Sequence, residues 1–462
     1  MKIFFSGIGG SGVSALASFM ADQGHQVSGS DRSFDFDKAH PAYAPLAGKG
    51  VKLVPQDGKG IEPDLDLVVF STAVEKDLPE PKRCLELGLK TQTRPEFLAG
   101  LVASHETFAV AGTSGKSTTS GILAYLLREL GKEPSFIGGG RVSQFKDKGN
   151  LGNAVAGKSK LLVVEACESD GSIVTYRPAF TLLLNLDFDH HSVEKTAEMF
   201  RVLCANTAKR VLVNSDDSHV RDLKIPNAAT FGVENPANYR AEQIKLLPLG
   251  AEFTLRGVRF RSNLPGLYNV YNALACLATL AELGIPLEDC VKPLENFRGI
   301  DRRFDVYLNE GKSFVMDDYA HNPHKISSMM EMASQIRESI TYVFQPHGFA
   351  PTRMMKNEYI AAFVQHLRTS DRAVILPILY AGGTVAKDIS SEDLASGIRA
   401  GGKRAVAGTR EGILQEAKNG ESYVVFGARD ESLAAFAESL SKVVKGTQRG
   451  TAVEHEVAAN SP

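Results

Sequence analysis

Between the apolar run HETFAVA and the helix-periodic stretch STTSGILAYLLRELG stands GTSGKS, residues 112–117. No other feature constrains the fold as much. A glycine turn joining a buried strand to a helix commits the chain to an open sheet with helical crossovers between parallel strands. The turn departs from the common phosphate-loop pattern: five residues before Gly115 the chain has Val110, and the first glycine arrives at Gly112. It keeps what a phosphate needs. Glycines let backbone N–H groups approach the oxygens, and a helix N-terminus adds its dipole. Lys116 can reach the β- and γ-phosphates, and the Ser117 hydroxyl can join a Mg²⁺ shell. A tight turn with a capping serine would explain part of this, but not strand, glycines, Lys-Ser and helix together.

The same pattern opens the chain. KIFFSG leads through GIGGSG into VSALASFMADQG, a periodic helix closed by Gly24, and HQVSGSD follows as a second strand. Gly7, Gly9 and Gly12 have dinucleotide-binding spacing, and Asp31 ends the second strand, where such folds place an acid on a ribose hydroxyl. Read alone this is an NAD site. The same turn holds any pyrophosphate, so a nucleotide-tagged substrate is the alternative. DLDLVVFSTAV, KLLVVEACESD, AFTLLLNLDFDHH and AKRVLVNSDD are further buried strands ending in polar or acidic residues, where open α/β sheets bind ligands. Glu165 and His190, the latter near Asp187 and Asp189, are candidates to complete an ATP–metal site. Mg²⁺ prefers oxygen ligands, so a histidine would suit Mn²⁺ equally.

A third segment begins near LENFRGIDRRFDVY, with strand candidates SFVMDDYAH, SITYVFQPHG, RAVILPILY and SYVVFGARD. At 462 residues the chain exceeds one core, and the pattern predicts three α/β domains: 1–104, 105–296 and 297–445. The polar, non-periodic stretch 446–462 is expected to be a disordered tail. A net charge of −2 without a basic run offers no footprint for nucleic acid or an anionic membrane. The five cysteines are scattered, which suggests neither a disulfide framework nor a zinc site. No apolar run reaches membrane-spanning length, and the start enters glycines too soon for a signal peptide, so a cytoplasmic protein is expected.

GIGGSGVSALA, SGSD, AGTSGKSTT, VEACESDGS, NLDFDH, GLYNVYNALA, RRFDV, DDYAHNP and VFQPH occur in that order across nearly the whole chain. Together they resemble the Mur ligases, and most nearly the branch that joins L-alanine to UDP-N-acetylmuramate. The resemblance implies an N-terminal Rossmann-like UDP-binding domain, a central P-loop-type ATPase domain and a C-terminal Rossmann-like domain that closes over ATP. It implies that Gly7, Gly9, Gly10, Ser11, Gly12, Asp31, Ser71 and Thr72 hold the UDP of a sugar nucleotide, with no nicotinamide. His347 and Arg353 would face the muramyl or amino-acid end. ATP falls to Gly112, Thr113, Ser114, Gly115, Lys116, Ser117 and Thr118, with Asn269 and Asn272 at the adenine and Asp318 in the third domain. Without the resemblance, the two asparagines read as an ordinary capped helix N-terminus. The implied catalytic set is Lys116, Glu165, His190, Arg302, Arg303 and His321; the implied metal set is Ser117, Glu165 and His190.

The implied activity is ATP-dependent amide ligation in peptidoglycan precursor synthesis, through an acyl phosphate that an amino-acid amine attacks. Some residues depart from the family pattern. Ser114 and Ser117 stand in the loop where His or Asn and then Thr are usual, Asn322 replaces a second histidine, and Gly348 replaces an arginine. NLDFDH is similar to the related ligase that recycles murein tripeptide. The acceptor is therefore L-alanine, or another amino acid or a peptide. A non-catalytic nucleotide-binding paralogue is opposed by the intact Lys116, Ser117, Glu165 and His190. A NAD-dependent oxidoreductase leaves the second loop and the third domain unexplained.

Overall fold

The computed structural model describes residues 1–36, 40–147, 149–189, 191–380, 385–430 and 432–446, in two compact units, Met1–Ile300 and Asp301–Pro462. The first sheet starts from KIFFS. Ile3, Phe4 and Phe5 are all buried in β1 (Lys2–Ser6), as expected of a parallel strand covered on both faces. Four parallel strands join it: β2 (Gln26–Ser30), β3 (Lys52–Val54), β4 (Leu67–Phe70) and β5 (Thr91–Thr93). Their order is β3-β2-β1-β4-β5, and it reverses between β1 and β4, so a crevice opens at the carboxyl ends of those strands. The helix Ser11–Asp22 covers the periodic stretch, buries Val13, Leu16 and Phe19, and is followed by Gly24 at φ 79°.

The second sheet contains β6 (Glu106–Ala111) and β7 (Ser135–Ile137); β8 (Lys146–Asp147) and β9 (Asn150–Leu151) form a separate two-stranded sheet. It continues with β10 (Ala154–Val155), β11 (Leu161–Glu165), β12 (Phe180–Leu183), β13 (Arg210–Asn214) and β14 (Ala229–Gly232). β15 (Tyr239–Leu247), β16 (Gly250–Leu255) and β17 (Val258–Ser262) complete it in the order β10-β7-β11-β6-β12-β13-β14-β15-β16-β17. β6 lies parallel between β11 and β12, with Val110 opposite Glu165 and Ala111 opposite Leu183. That register brings the glycine turn and Glu165 to one level.

Two features differ from the expectation. β12 stops at Leu183, so NLDFD is a loop and not the end of a strand; His190 lies outside the described residues. The antiparallel meander β15–β17 lies in a stretch read without strands. In β17 Arg259 and Arg261 are exposed while Phe260 and Ser262 are buried, a one-faced alternation too short and too polar to stand out.

In the second unit, β18 (Asp305–Glu310) runs antiparallel to β19 (Ser313–Asp318). β20 (Thr341–Phe344), β21 (Arg372–Ile375), β22 (Ala405–Ala407) and β23 (Ser422–Phe426) extend the sheet in the order β18-β19-β23-β20-β21-β22. The four apolar runs read from the sequence are β19, β20, β21 and β23. Phe344 and Phe426 stack across adjacent strands with ring centroids 5.1 Å apart. Among the described residues no helix is long and apolar enough to cross a membrane. The expected tail falls mostly on residues 447–462, which lie outside the described set.

Candidate functional site

Four residues, 112–115, separate the end of β6 from the helix Lys116–Glu129. Gly112 (φ 146°) and Gly115 (φ 83°) hold backbone conformations that side chains disfavour, and a Cβ at Gly115 would stand 2.5 Å from Asn272 Oδ1. Gly115 caps the helix without a side-chain bond, so the helix N-terminus faces the turn. Lys116 folds back under it. Its Nζ donates to Gly112 O at 2.6 Å and to Glu168 Oε2 at 2.8 Å, and both side chains are buried. Burial alone would lower the Lys116 pKa; the charge of Glu168, helped by Cys167 and Glu165, more than offsets it and raises it. Glu168 Oε1 is buried without a hydrogen-bond partner among the described residues.

Ser117 Oγ lies 3.0 and 2.9 Å from the two Glu165 oxygens, and Gly139 N donates to Glu165 Oε2 at 2.9 Å. A hydroxyl beside a carboxylate at a phosphate turn is a hard-oxygen set. Among the described residues no three His, Cys, Asp or Glu side chains form a metal cluster. Mg²⁺ does not require one, because it keeps waters and takes phosphate oxygens beside one or two protein ligands. Ser117 and Glu165 therefore fit that ion.

Asn185 clamps the turn. Its Oδ1 accepts from Thr113 Oγ1 at 2.9 Å and Ser114 N at 2.8 Å, while its Nδ2 donates to Ser114 O at 3.0 Å. Thr118 is half-buried on the first helical turn. The asparagine pair has internal partners: Asn272 Oδ1 accepts from Thr119 Oγ1 at 3.1 Å, Asn272 Nδ2 donates to Asn269 Oδ1, and Asn269 Nδ2 donates to Pro265 O. Neither caps the helix Leu267–Glu282, whose N-cap is Gly266. The pair ties that helix to the first turn of the loop helix.

At the other glycine turn, Gly7 (φ 78°) donates to Ser30 O at 2.9 Å, and a Cβ there would meet Ser71 Cβ at 2.7 Å. Gly10 is the N-cap of the helix that Ser11 and Gly12 begin, and Thr72 is exposed beside Ser71. Asp31 Oδ2 accepts from Gly9 N at 2.8 Å and its Oδ1 accepts from Ser33 N at 2.9 Å. The carboxylate that a dehydrogenase would turn to a ribose is thus tied into the turn. Arg94 runs past Gly12, 3.3 Å from where a Cβ would be, and pairs with Asp170 at 2.5 Å, linking the two loop regions of this unit. Glu80 is fully buried beneath the turn, where it accepts from the Ser6 and Ser30 hydroxyls. Burial pushes its carboxyl up.

The second unit gathers the remaining candidates around Tyr319. Arg302 Nε donates to Asp317 Oδ2 at 2.8 Å within the core, and Arg303 lies over the Tyr319 ring at 4.8 Å. Asp318 accepts from Phe304 N at 2.8 Å and Ala320 N at 2.7 Å. The His321 and His347 rings are 5.6 Å apart. Burial lowers His321 to about 4 although Tyr319 O accepts from its ring, so it is neutral at pH 7; burial and then the Arg429 charge lower His347. Arg353 pairs with Asp388 and donates to Ala386 O. The structure thus groups Lys116, Ser117 and Glu165 in one unit, and Arg303, Asp318, His321 and His347 in the other.

Glu168, Asn185 and Asp317 escaped the sequence reading. Each is the polar partner that a neighbour already singled out requires: a buried lysine, a two-glycine turn, a buried arginine.

Three family models match the chain: Mur ligase family, catalytic domain (residues 2–106), Mur ligase middle domain (110–280) and Mur ligase, glutamate ligase domain (302–450). The UDP-N-acetylmuramate–L-alanine ligase of Sulfurihydrogenibium sp. (strain YO3AOP1) is 32% identical over 412 residues, covering 86% of this chain and 87% of that protein. The ligase of the same name from Desulfatibacillum aliphaticivorans is 31% identical over 453 residues, covering 93% and 96%. Among solved structures, UDP-N-acetylmuramate-alanine ligase MurC from Thermotoga maritima matches with a TM-score of 0.81 and 26% identity, covering 97% of this chain and all of that one. A murein peptide ligase from Psychrobacter arcticus 273-4 shares the fold, with a TM-score of 0.69, 21% identity and 96% and 99% coverage.

Proposed function

The chain belongs to the Mur ligase family, and we propose that within it the protein joins L-alanine to the lactyl carboxylate of UDP-N-acetylmuramate, consuming ATP, in peptidoglycan precursor synthesis. The observation that carries this reading is the constellation of Lys116, Ser117 and Glu165 at the carboxyl ends of the adjacent strands β6 and β11. It stands in a chain about a third identical, over most of its length, to enzymes of that name. We assign UDP-sugar binding to residues 1–104, ATP to 105–296 and the remaining ligase groups to 297–445, with both nucleotides drawn from the cytoplasm.

A carboxylate is a poor acyl donor, because its charge repels a nucleophile and oxide leaves badly. Transfer of the γ-phosphoryl group of ATP solves this: a bond from phosphorus to the carboxylate oxygen forms as the bond to the ADP oxygen breaks. The amine then attacks the acyl carbon, gives up a proton, and phosphate leaves. Two anions meet in the first step, so cations are needed there. Lys116 supplies one, held charged by Glu168. Ser117 and Glu165 would hold Mg²⁺, with His190 as a further candidate; when bound, the ion supplies charge neutralisation at the phosphoryl oxygens. Gly112, Thr113, Ser114, Gly115 and Thr118 form the phosphate turn that Asn185 keeps in shape. Gly7, Gly9, Gly10, Ser11 and Gly12, buckled by Asp31, would take the UDP beside Ser71 and Thr72. Of the arginine pair, Arg302 is committed to Asp317, which leaves Arg303 to meet nucleotide phosphates. His321, kept neutral by burial, offers an uncharged ring for hydrogen bonding at neutral pH.

The decisive experiment measures ADP release over a panel of UDP-linked sugar acids and acceptors, with product masses. L-alanine with UDP-N-acetylmuramate should give the highest kcat/KM and a product heavier by one alanyl residue. ADP release indifferent to the acceptor would refute the reading. Gly348, which has no side chain beside His347, favours a second reading in which the acceptor is a different amino acid or a peptide.

A further inference from the structure

Among the described residues of the second unit, three non-glycine positions hold positive φ: Arg302 (59°), Phe304 (53°) and Arg429 (66°). Such strain persists only where the surroundings over-determine it, and it concentrates at functional sites. The surroundings of Arg429 are visible. Arg302 Nη2 donates to Gly427 O at 2.6 Å and Arg302 Nη1 donates to Asp430 O at 2.9 Å, gripping the segment on both sides of Arg429. Arg410 pairs with the Asp430 carboxylate. Arg429 N donates to Tyr319 Oη at 3.4 Å. The loop after β23 is thus fixed, and at its apex Arg429 is exposed, with no ion-pair partner among the described residues. Its charge is felt at His347, which stands beside His321.

The neighbouring cations are otherwise engaged. Arg302 is buried against Asp317, Arg303 lies over Tyr319, and Arg353 forms a solvent-exposed pair with Asp388. Gly348 contributes no side chain, and at φ 71°, with a Cβ position 3.1 Å from Pro351 Cδ, it is poorly placed to carry one. An acceptor amino acid or peptide brings a carboxylate that needs a cation. We propose that Arg429 receives the carboxylate of the incoming acceptor and sets acceptor choice from the loop after β23. This rests on the ligase reading above.

The test uses the full chain, Arg429→Gly and Arg429→Lys, with ADP release as readout. Glycine tolerates φ 66°, so Arg429→Gly should keep or raise the Tm. It should raise the acceptor KM by about ten- to a hundred-fold, as loss of a charge-assisted bond does, and leave KM for ATP and for UDP-N-acetylmuramate within about two-fold. Arg429→Lys should fall between. With L-alaninamide, which has no carboxylate, wild type and Arg429→Gly should share one kcat/KM. An unchanged acceptor KM, an equal loss with the amide, or a loss confined to the KM of ATP overturns the assignment while the ligase reading stands. A wild type with no acceptor-dependent ADP release overturns both.

Discussion

At the scale of single residues, Lys116 shows what a motif does not say. A motif lysine is expected to be replaceable without harm to the fold, but here its Nζ neutralises Glu168 in the interior. Lys116→Ala should cut turnover by about 10²–10³ and also cost roughly 3 kcal/mol, because it strands a buried charge. Lys116→Ala with Glu168→Gln should recover the Tm but not the turnover; denaturation midpoints beside ADP-release rates check this. Recovered turnover in the double variant would remove Lys116 from the chemistry. His321 carries a pH signature. Its folded pKa, about 4, lies below the ordinary 6.5, so the unfolded chain binds more protons between those values. Stability should therefore fall as pH drops from about 6.5 to about 4, by up to about 3 kcal/mol. His321→Gln should flatten that part of the urea-midpoint profile, and an unaltered slope would contradict it.

Elements decide which residues of a motif meet. GTSGKS announces a strand, a turn and a helix because glycine, lysine and serine serve local needs, and each was legible. Asn185 was not, because it reaches the turn only through the pairing of β12 with β6. A residue whose value lies in a neighbouring strand has no local pattern to show. Asn185→Ala should loosen the turn, raising KM for ATP about ten-fold and lowering stability by roughly 1–2 kcal/mol, while KM for the nucleotide sugar stays unchanged. A shift in the sugar KM alone would place the clamp elsewhere. The meander β15–β17 was hidden for a related reason: one face of it is buried by the helix Leu267–Glu282 and its neighbours, and charged residues interrupt the apolar run.

Over the whole molecule, the first unit holds two main sheets joined by one apolar cluster and the second unit holds one sheet with its own core, so each unit should unfold as a cooperative block. Residues 1–300 expressed alone should melt in one transition. A non-hydrolysable ATP analogue at a hundred times its Kd should stabilise that fragment by about 2.7 kcal/mol and leave residues 301–446 unaffected. Calorimetry of the two fragments tests this, and stabilisation of only the second would misplace the nucleotide. Alternating apolar runs and glycine turns settled the α/β class, the main parallel strands and the two loops, because such signals are local and repeat with a fixed period. Tertiary structure alone decided the rest. One apolar cluster contains Phe5 and Leu16 of the first sheet region together with Ala109 and Val164 of the second, which makes the first three hundred residues one body. Burial decided which charges pair: Lys116 with Glu168, Arg302 with Asp317, and Arg429 left facing solvent. Burial and partnership depend on residues far apart in the chain, and no local pattern encodes them.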